Sequence, residues 1–551
     1  MIKTRIKEQL DTCFAEGVKQ GLWSDAAAGI YTLENPKFSG QGDFATNLAM
    51  VVAGMEKKKP RDVAAQLIGL ISSSDMLDKV EIAGPGFVNF FVRDSVWQEV
   101  LPEICRRGKD FGPVAVGSGK KVLIEFVSAN PTGPLSIGHG RQAILGDAIA
   151  RLLEATGHQV EREYYYNDAG RQMRVLAASL RHRYLEELGV PSEFPEDGYQ
   201  GEYISDIAKD LVAEKGDSLK DYENLDIFKE KAERAIFADI NGTLERMDVR
   251  FDNYYNEHTL YDDGHIDDVI RILRQKELAY DQDGAVWFKT TELGLDQDRV
   301  IVKSSGEPTY RLPDIAYHRE KFRRGYDWMV NIFGSDHIAT VPDVLAGLRA
   351  LGYDESKVTV VLHQFVTLLR DGKQVKMSTR KATFITVDEL LDEVGPDVVR
   401  FFFLMRKANS QLEFDLDLAT QESQENPVYY VQYAHARLCS ILRQAEEKGI
   451  ARGELGGVKT NLLGEPEELA LLKELAGYPE MVQRAALDLS PHRVIYYLQD
   501  MAGKFHGFYS KHRVLSEDVE LAQARLSLVD GLRIVFHNGL TLLGVKAPER
   551  M

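Results

Sequence analysis

Apolar positions recur with two different periods along this chain, and the changes of period divide it. Helical spacing runs through residues 2–21, then through 44–58 ("FATNLAMVVAGMEKK") and 61–74 ("RDVAAQLIGLISSS"), which Pro60 separates. Residues 80–92 ("VEIAGPGFVNFFV") alternate instead, as two short strands about a Gly-Pro-Gly turn. Together these predict a small α+β unit, followed by a linker-like stretch at 112–120.

The pattern then changes. Residues 122–127 ("VLIEFV") are almost continuously apolar, as expected of a strand covered on both faces. A loop rich in glycine and proline follows, then a helix over 141–160 and a strand over 160–168, which makes a βαβ unit. The same pattern returns at 326–337, 340–352 and 357–366. The acidic, helical stretch 171–280 separates the two halves. Beyond about residue 385 the spacing is helical to the end. The expected fold is α/β: a doubly wound, Rossmann-like parallel sheet with an insertion at about 171–300. An N-terminal α+β domain precedes it and a C-terminal all-α bundle follows. The expected boundaries are 1–112, 113–385, a connecting helical segment at 386–425, and 426–551.

Composition adds a few exclusions. The 551 residues are 44% hydrophobic and 28% charged, ordinary values for a globular protein, and no apolar run reaches membrane-spanning length. The start of the chain lacks the apolar core of a secretion signal. Three scattered cysteines predict a reducing, cytoplasmic setting without disulfides or a zinc site. The net charge of −18 disfavours a broadly basic nucleic-acid-binding surface. However, residues 421–551 carry 15 Lys and Arg against 17 Asp and Glu, so that region is nearly neutral and open to such a partner.

The chemistry concentrates in "SANPTGPLSIGHGR" (128–141). It lies after the first buried strand and before a helix, where doubly wound folds bind ligands. Glycines let a phosphate approach the backbone, and the helix start offers free N–H groups. The stretch matches neither the P-loop nor the G-x-G-x-x-G fingerprint. Taken alone it also reads as a turn with a surface histidine. A second loop, within "RDGKQVKMSTRKATFITVDELLDEVG" (370–395), carries Lys373, Lys376, Arg380 and Lys381. It reads either as a solvated basic loop or as the other wall of one ATP site.

Two motifs carry a resemblance. Ser136-Ile137-Gly138-His139 and Lys376-Met377-Ser378-Thr379-Arg380 resemble the H-I-G-H and K-M-S-K-S motifs of class I aminoacyl-tRNA synthetases. "EFVSANPTGPLSIGHGR", "YYYNDAGRQM", "TYRLPDIAYH", "FDLDLATQESQENPVYYVQYAHARLCSI" and the ending "LLGVKAPERM" resemble the bacterial arginyl-tRNA synthetases. "GDFATNLA" and "GPGFVNF" resemble that family's N-terminal domain, so the resemblance spans the chain. Ser136 stands where the motif has its first histidine, and Thr379 where it has its second lysine. Arg380 and Lys381 offer replacement charge.

The resemblance implies ATP-dependent formation of arginyl-adenylate, followed by transfer to tRNA(Arg). ATP is then a substrate, Mg²⁺ arrives with it, and no dedicated metal site is expected. His139, Lys376, Ser136 and Gly138 become the catalytic set. Pro131, Thr132, Gly133, Gly138, His139, Gly334, Asp336, Gln364, Val366, Lys376, Met377 and Ser378 surround ATP. Glu125, Ser128, Asn130, His139, Tyr310, Asp314 and His337 surround arginine, with Glu125 and Asn130 at its α-amino end and Tyr310 and Asp314 at its guanidinium. A guanidinium fork suits a carboxylate partner. Asp314 also reads as a helix N-cap. Ile338 and Ala339 replace the second histidine and glycine found after His337 in many family members. Phe87 and Asn89 are expected at the outer corner of tRNA, and Tyr430, Tyr433, Arg437, Phe505, Tyr509 and Met551 at the anticodon, where bases stack on rings. A monomer is expected, with no membrane partner. Two other readings stand beside this one: a class I synthetase for another amino acid, and a non-catalytic tRNA-binding paralogue in which Ser136 marks decay.

Overall fold

The structure, a computed structural model, describes residues 2–36, 38, 40–71, 75–168, 170–375, 385–450, 453 and 457–551. Its central sheet has five parallel strands: β1 (Lys121–Glu125), β2 (Gln159–Tyr166), β3 (Asn253–Asn256), β4 (Trp328–Gly334) and β5 (Val358–His363). They lie side by side in the order β3-β2-β1-β4-β5. The order reverses between β1 and β4, so the crevice at their carboxyl ends is the switch point. Val122, Leu123 and Ile124 are fully buried, as the continuous apolar run predicted.

β3 corrects the sequence reading, which placed this stretch inside a helical insertion. Its sequence, Asn-Tyr-Tyr-Asn, pairs with Glu163–Tyr166 at the sheet edge. An edge strand half open to solvent has no apolar run to announce it. Residues 44–58 divide as well: Phe44–Thr46 is a strand and Leu48–Glu56 the helix. Phe44–Thr46 joins Leu33–Glu34, Leu77–Ala83 and Phe87–Val92 in an antiparallel N-terminal sheet. Pro60 is the first residue of the helix Pro60–Leu70, where its missing N–H costs nothing. The connecting segment also holds a strand, Leu412–Asp415, parallel to Val366–Arg370.

Helix α1 (Ile137–Ala155) crosses from β1 to β2 and is buried along most of its length. A Cβ on its Gly146 would collide with the Phe126 ring, so the glycine sets how closely α1 lies on the loop after β1. Helix α2 (Arg311–Arg323) leads into β4, and α3 (Val341–Leu351) joins β4 to β5. Helices α4 (Val387–Val394) and α5 (Pro396–Leu404) then lead towards the C-terminal bundle. The bundle consists of α6 (Pro427–Glu447), α7 (Pro466–Leu487), α8 (His492–Lys511) and α9 (Val519–Leu542).

Arg400, on α5, ties these parts together. Its guanidinium is 1% exposed. It donates to the Leu543 carbonyl at the end of α9 at 3.0 Å, to the Met247 carbonyl of the insertion at 2.6 Å, and to Asp147 of α1.

Candidate active site

The loop after β1 is held under strain. Val127 and Ser128 have φ of +68° and +43°, and a left-handed β-branched residue is an outlier that its surroundings must enforce. The enforcing bonds come from β2 and the insertion. Tyr164 donates its hydroxyl to the Ala129 carbonyl at 2.7 Å, the Tyr165 N–H donates to Ser128 Oγ at 3.1 Å, and Tyr203 donates to the Thr132 carbonyl at 2.6 Å. Asn130 donates to Gln172 Oε1 at 2.6 Å. Pro131 is buried within this frame, and a Cβ on Gly133 would touch the Tyr203 hydroxyl.

Ser136 is the N-cap of α1. Its Oγ accepts from the His139 N–H, while its own N–H donates to His139 Nδ1 at 3.3 Å, forming a capping box. Because Nδ1 accepts, the ring proton sits on Nε2. Burial pushes the His139 pKa down, against a weaker opposite pull from Asp336, which favours the neutral ring. Gly138 lies between them, in the first turn. Ser136 also forms an isolated antiparallel bridge with Thr386, the N-cap of α4, and Val387 N–H donates to the Leu135 carbonyl at 3.0 Å. The strand-end loop and the start of α4 are therefore joined through backbone. Lys376, Met377, Ser378, Arg380 and Lys381 lie outside the described residues.

Across the switch point, Gly334 ends β4 and is paired with His363 of β5. A Cβ there would meet the Asp336 carboxylate, so a side chain at this position displaces Asp336. Asp336 and His337 are exposed in the short turn Ser335–Ala339, their closest charged atoms 3.8 Å apart. His363, which sequence reasoning did not single out, stands beside this turn. Its pKa is pushed down to about 4 by burial and by the nearby Arg141. Arg141, another missed residue, is 1% exposed. It donates to the Gln364 carbonyl at 2.6 Å and to those of Lys407 and Ser410 at 3.1 and 3.0 Å. Gln364 is half-buried and Val366 buried, while Phe365 between them is 67% exposed, an open ring beside the crevice.

The other side of β1 carries the acidic groups. Glu125 is 4% exposed, and its Oε1 accepts from Ser128 Oγ at 3.2 Å. Asp314 sits in the first turn of α2, one turn beyond the exposed Tyr310, whose carbonyl accepts from the Asp314 N–H. No hydrogen bond or ion pair reaches the Asp314 carboxylate among the described residues, so its N-cap alternative is not realised. Its pKa is pushed up to about 7, first by burial and then by the charges of Glu125 and Glu257. Glu257, just past β3, was hidden from sequence reasoning in the insertion. Burial raises its pKa too, with Asp168 adding to the shift. Burial, and then the charges of Glu257, Asp314 and Glu125, push the Tyr165 hydroxyl's pKa well up. Glu125 already has a cation in Lys321, at 2.6 Å, whereas Asp314 and Glu257 have no ion pair among the described residues, so their side of the pocket suits a further cation.

Three family models match in chain order: "Arginyl tRNA synthetase N terminal domain" over residues 1–92, "tRNA synthetases class I (R), catalytic domain" over 101–411, and "DALR anticodon binding domain" over 431–551. The chain belongs to the arginyl-tRNA synthetases. An arginine–tRNA ligase of Desulfotalea psychrophila is 64% identical over 554 residues, covering 100% of both chains. Another, from Geobacter sp. (strain M21), is 48% identical over 99% of this chain and 100% of its own length. The solved Thermus thermophilus arginyl-tRNA synthetase shares the fold, with a TM-score of 0.77 at 22% identity, covering 100% of both chains.

The surfaces expected to meet tRNA divide. Phe87 is 38% exposed at the start of its strand. Tyr429 and Tyr433 stack at 6.2 Å, and Tyr433 and Tyr430 both lie against His506. The Arg437 guanidinium covers the Tyr509 ring at 4.8 Å and donates to its hydroxyl at 2.8 Å. Met551 is exposed. Two residues correct the sequence reading. Phe505 is 0% exposed and packs the bundle core, so it presents no face to a base. Asn89 is 3% exposed in mid-strand, paired on both sides by Ala45 and Glu81, so its side chain is no base reader in this arrangement.

Proposed function

We propose that this synthetase activates arginine in the crevice between β1 and β4, with the arginine carboxylate attacking the α-phosphorus of ATP and pyrophosphate leaving. The observation that carries the reading is the bare Asp314 carboxylate, near Glu125 and Glu257, opposite a strand-end loop that presents a neutral His139. The guanidinium enters among Asp314, Glu257 and Tyr310. The α-ammonium meets Glu125 and Asn130, on the side shared with Ser128 and the nucleotide loop. His139 donates from Nε2 to phosphate oxygens, with backbone N–H groups at the start of α1 beside it. Catalysis here is positioning and charge neutralisation, and the reaction needs no covalent enzyme intermediate.

Gly334, Asp336 and His337 border the ribose, and Gln364, Phe365 and Val366 the adenine. Lys376 neutralises the leaving pyrophosphate, with Met377 and Ser378 in the same loop. Mg²⁺ enters on the ATP phosphates. The arginyl group then passes to the terminal ribose of tRNA(Arg). Phe87 contacts the outer corner of the tRNA, and Tyr430, Tyr433, Arg437, Tyr509 and Met551 its anticodon. No helix among the described residues is long and apolar enough to cross a membrane. The enzyme works as a monomer in the cytoplasm.

Amino-acid-dependent ATP–pyrophosphate exchange, run over all twenty amino acids with and without tRNA(Arg), tests the reading. Exchange with arginine alone supports it. Exchange with a different amino acid, or none even with tRNA present, removes it.

A further inference from the structure

Lys321 is a fully buried cation beside the arginine pocket. It comes from the last turn of α2, and its side chain is 0% exposed. Its Nζ donates to Glu125 Oε2 at 2.6 Å and to Asn331 Oδ1 at 2.8 Å, and stands 4.2 Å from the centre of the Tyr317 ring. The network continues in one direction. Asn331 Nδ2 donates to His318 Nε2 at 2.7 Å, and His318 Nδ1 donates to the Asp314 carbonyl at 2.8 Å. Accepting from Asn331 requires the neutral ring, and burial, with Lys321 alongside, pushes its pKa down to about 3. One chain of hydrogen bonds through β1, β4 and α2 therefore holds the Glu125 carboxylate and the turn that carries Asp314.

A buried ion pair is a weak device for stability, since its desolvation cost offsets its attraction. The charge count around the pocket suggests another use. The charges of Glu125 and Glu257 both act on Asp314 there, and Lys321 opposes them. Arginine brings two cations, an ammonium and a guanidinium, while its carboxylate turns to the nucleotide. Lys321 supplies the third positive charge, and its ion pair among the described residues is with Glu125.

We propose that Lys321 is a positioning residue for the α-amino end of the substrate: it fixes the Glu125 carboxylate so that it receives the ammonium, and it sets affinity through that group and not through the guanidinium. This rests on Glu125 being the ammonium partner.

Three ligands separate the ends of the substrate: arginine, agmatine, which keeps both cations, and 5-guanidinopentanoate, which lacks the amino group. Arginine affinity is measured by calorimetry, and the other two as competitors of arginine-dependent pyrophosphate exchange with tRNA(Arg) present. Lys321→Met is expected to weaken arginine and agmatine by about 30-fold, and 5-guanidinopentanoate by less than about threefold. Equal weakening of all three overturns the proposal, because a merely structural lysine would not distinguish them. If Lys321→Met melts below the assay temperature, Asn331→Ser removes one of the lysine's two side-chain acceptors and reads the same ratio, with the same outcomes. Glu125→Gln separates the two readings. If Glu125→Gln is selective for amino-bearing ligands and Lys321→Met is not, the lysine proposal alone falls. If Glu125→Gln weakens all three alike, the assignment of Glu125 falls, and the lysine proposal with it.

Discussion

Ser136 and Thr386 face each other across the crevice as N-caps of two helices and are bridged through their backbones. Each also closes a capping box, with His139 and Glu389 respectively. The first cap sets the tautomer of His139. The second fixes the start of α4, a few residues beyond the K-M-S-like stretch of the sequence. The serine that departs from H-I-G-H is thus part of the helix start, and restoring a histidine there removes a cap as it adds a donor.

Ser136→Ala is expected to lower stability by about 1 kcal/mol and to reduce the adenylation rate by roughly tenfold, since the turn that carries His139 loses its side-chain cap even though the backbone N–H to Nδ1 remains. The arginine KM should barely change. Urea melts and steady-state exchange kinetics check this; a large rise in arginine KM at constant rate would place Ser136 on the amino-acid side instead.

Arginine binding should depend on pH through Asp314. Its carboxyl, pushed up to about 7 in the empty pocket, keeps a proton below that pH, and the guanidinium must displace it. The arginine Kd is therefore expected to rise about tenfold for each pH unit below 7 and to flatten above it. For folding the sign is opposite to that of a salt-bridged aspartate. Between the ordinary 3.8 and about 7 the folded form binds the extra proton, so this group's contribution to stability falls as pH rises through that window. Calorimetry in buffers of differing ionisation enthalpy should register proton release on binding near pH 6, and Asp314→Asn should abolish both the release and the pH slope.

Arg400→Leu leaves Asp147 without its most buried partner and strips donors from the Met247 and Leu543 carbonyls. A loss of about 3 kcal/mol or more is expected. Hydrogen exchange should show it first where α5 meets the end of α9, while a midpoint unchanged from the parent protein would mean that Asp147's bonds to Arg151 and Arg162 suffice.

On the tRNA side, Arg437→Ala should weaken tRNA binding and lower the slope of log K against log salt by about one, with arginine activation in saturating tRNA unchanged. Phe505→Ala, by contrast, should cost about 3–5 kcal/mol of stability as a core truncation. Filter binding at several salt concentrations, together with thermal melts, separates the two behaviours.

What could be read from the sequence was what short range dictates. The buried strands Lys121–Glu125 and Trp328–Gly334 show as apolar runs, and the loop between β1 and α1 shows by its glycines and prolines. Glu125, Asp314 and His139 stood out because each lies in a motif next to such an element. Lys321, Asn331 and His318 did not, because their meeting depends on how α2 is packed against β4, which no local spacing encodes. Glu257 was missed for a related reason: β3, which places it, is too polar and too short to stand out. The errors at Phe505 and Asn89 arose because an aromatic or an amide in a helix or strand does not declare which face will be covered.

Tyr203 has a wider consequence. It belongs to the insertion, yet its hydroxyl holds the Thr132 carbonyl and its ring lies against Gly133 in the nucleotide loop. The loop geometry is therefore joint property of two stretches of chain about seventy residues apart. A trimmed enzyme lacking the insertion would keep every H-I-G-H residue and still lose the shape that makes them useful. Altering the insertion without altering the loop therefore requires keeping Tyr203 and the Asn130–Gln172 bond in place.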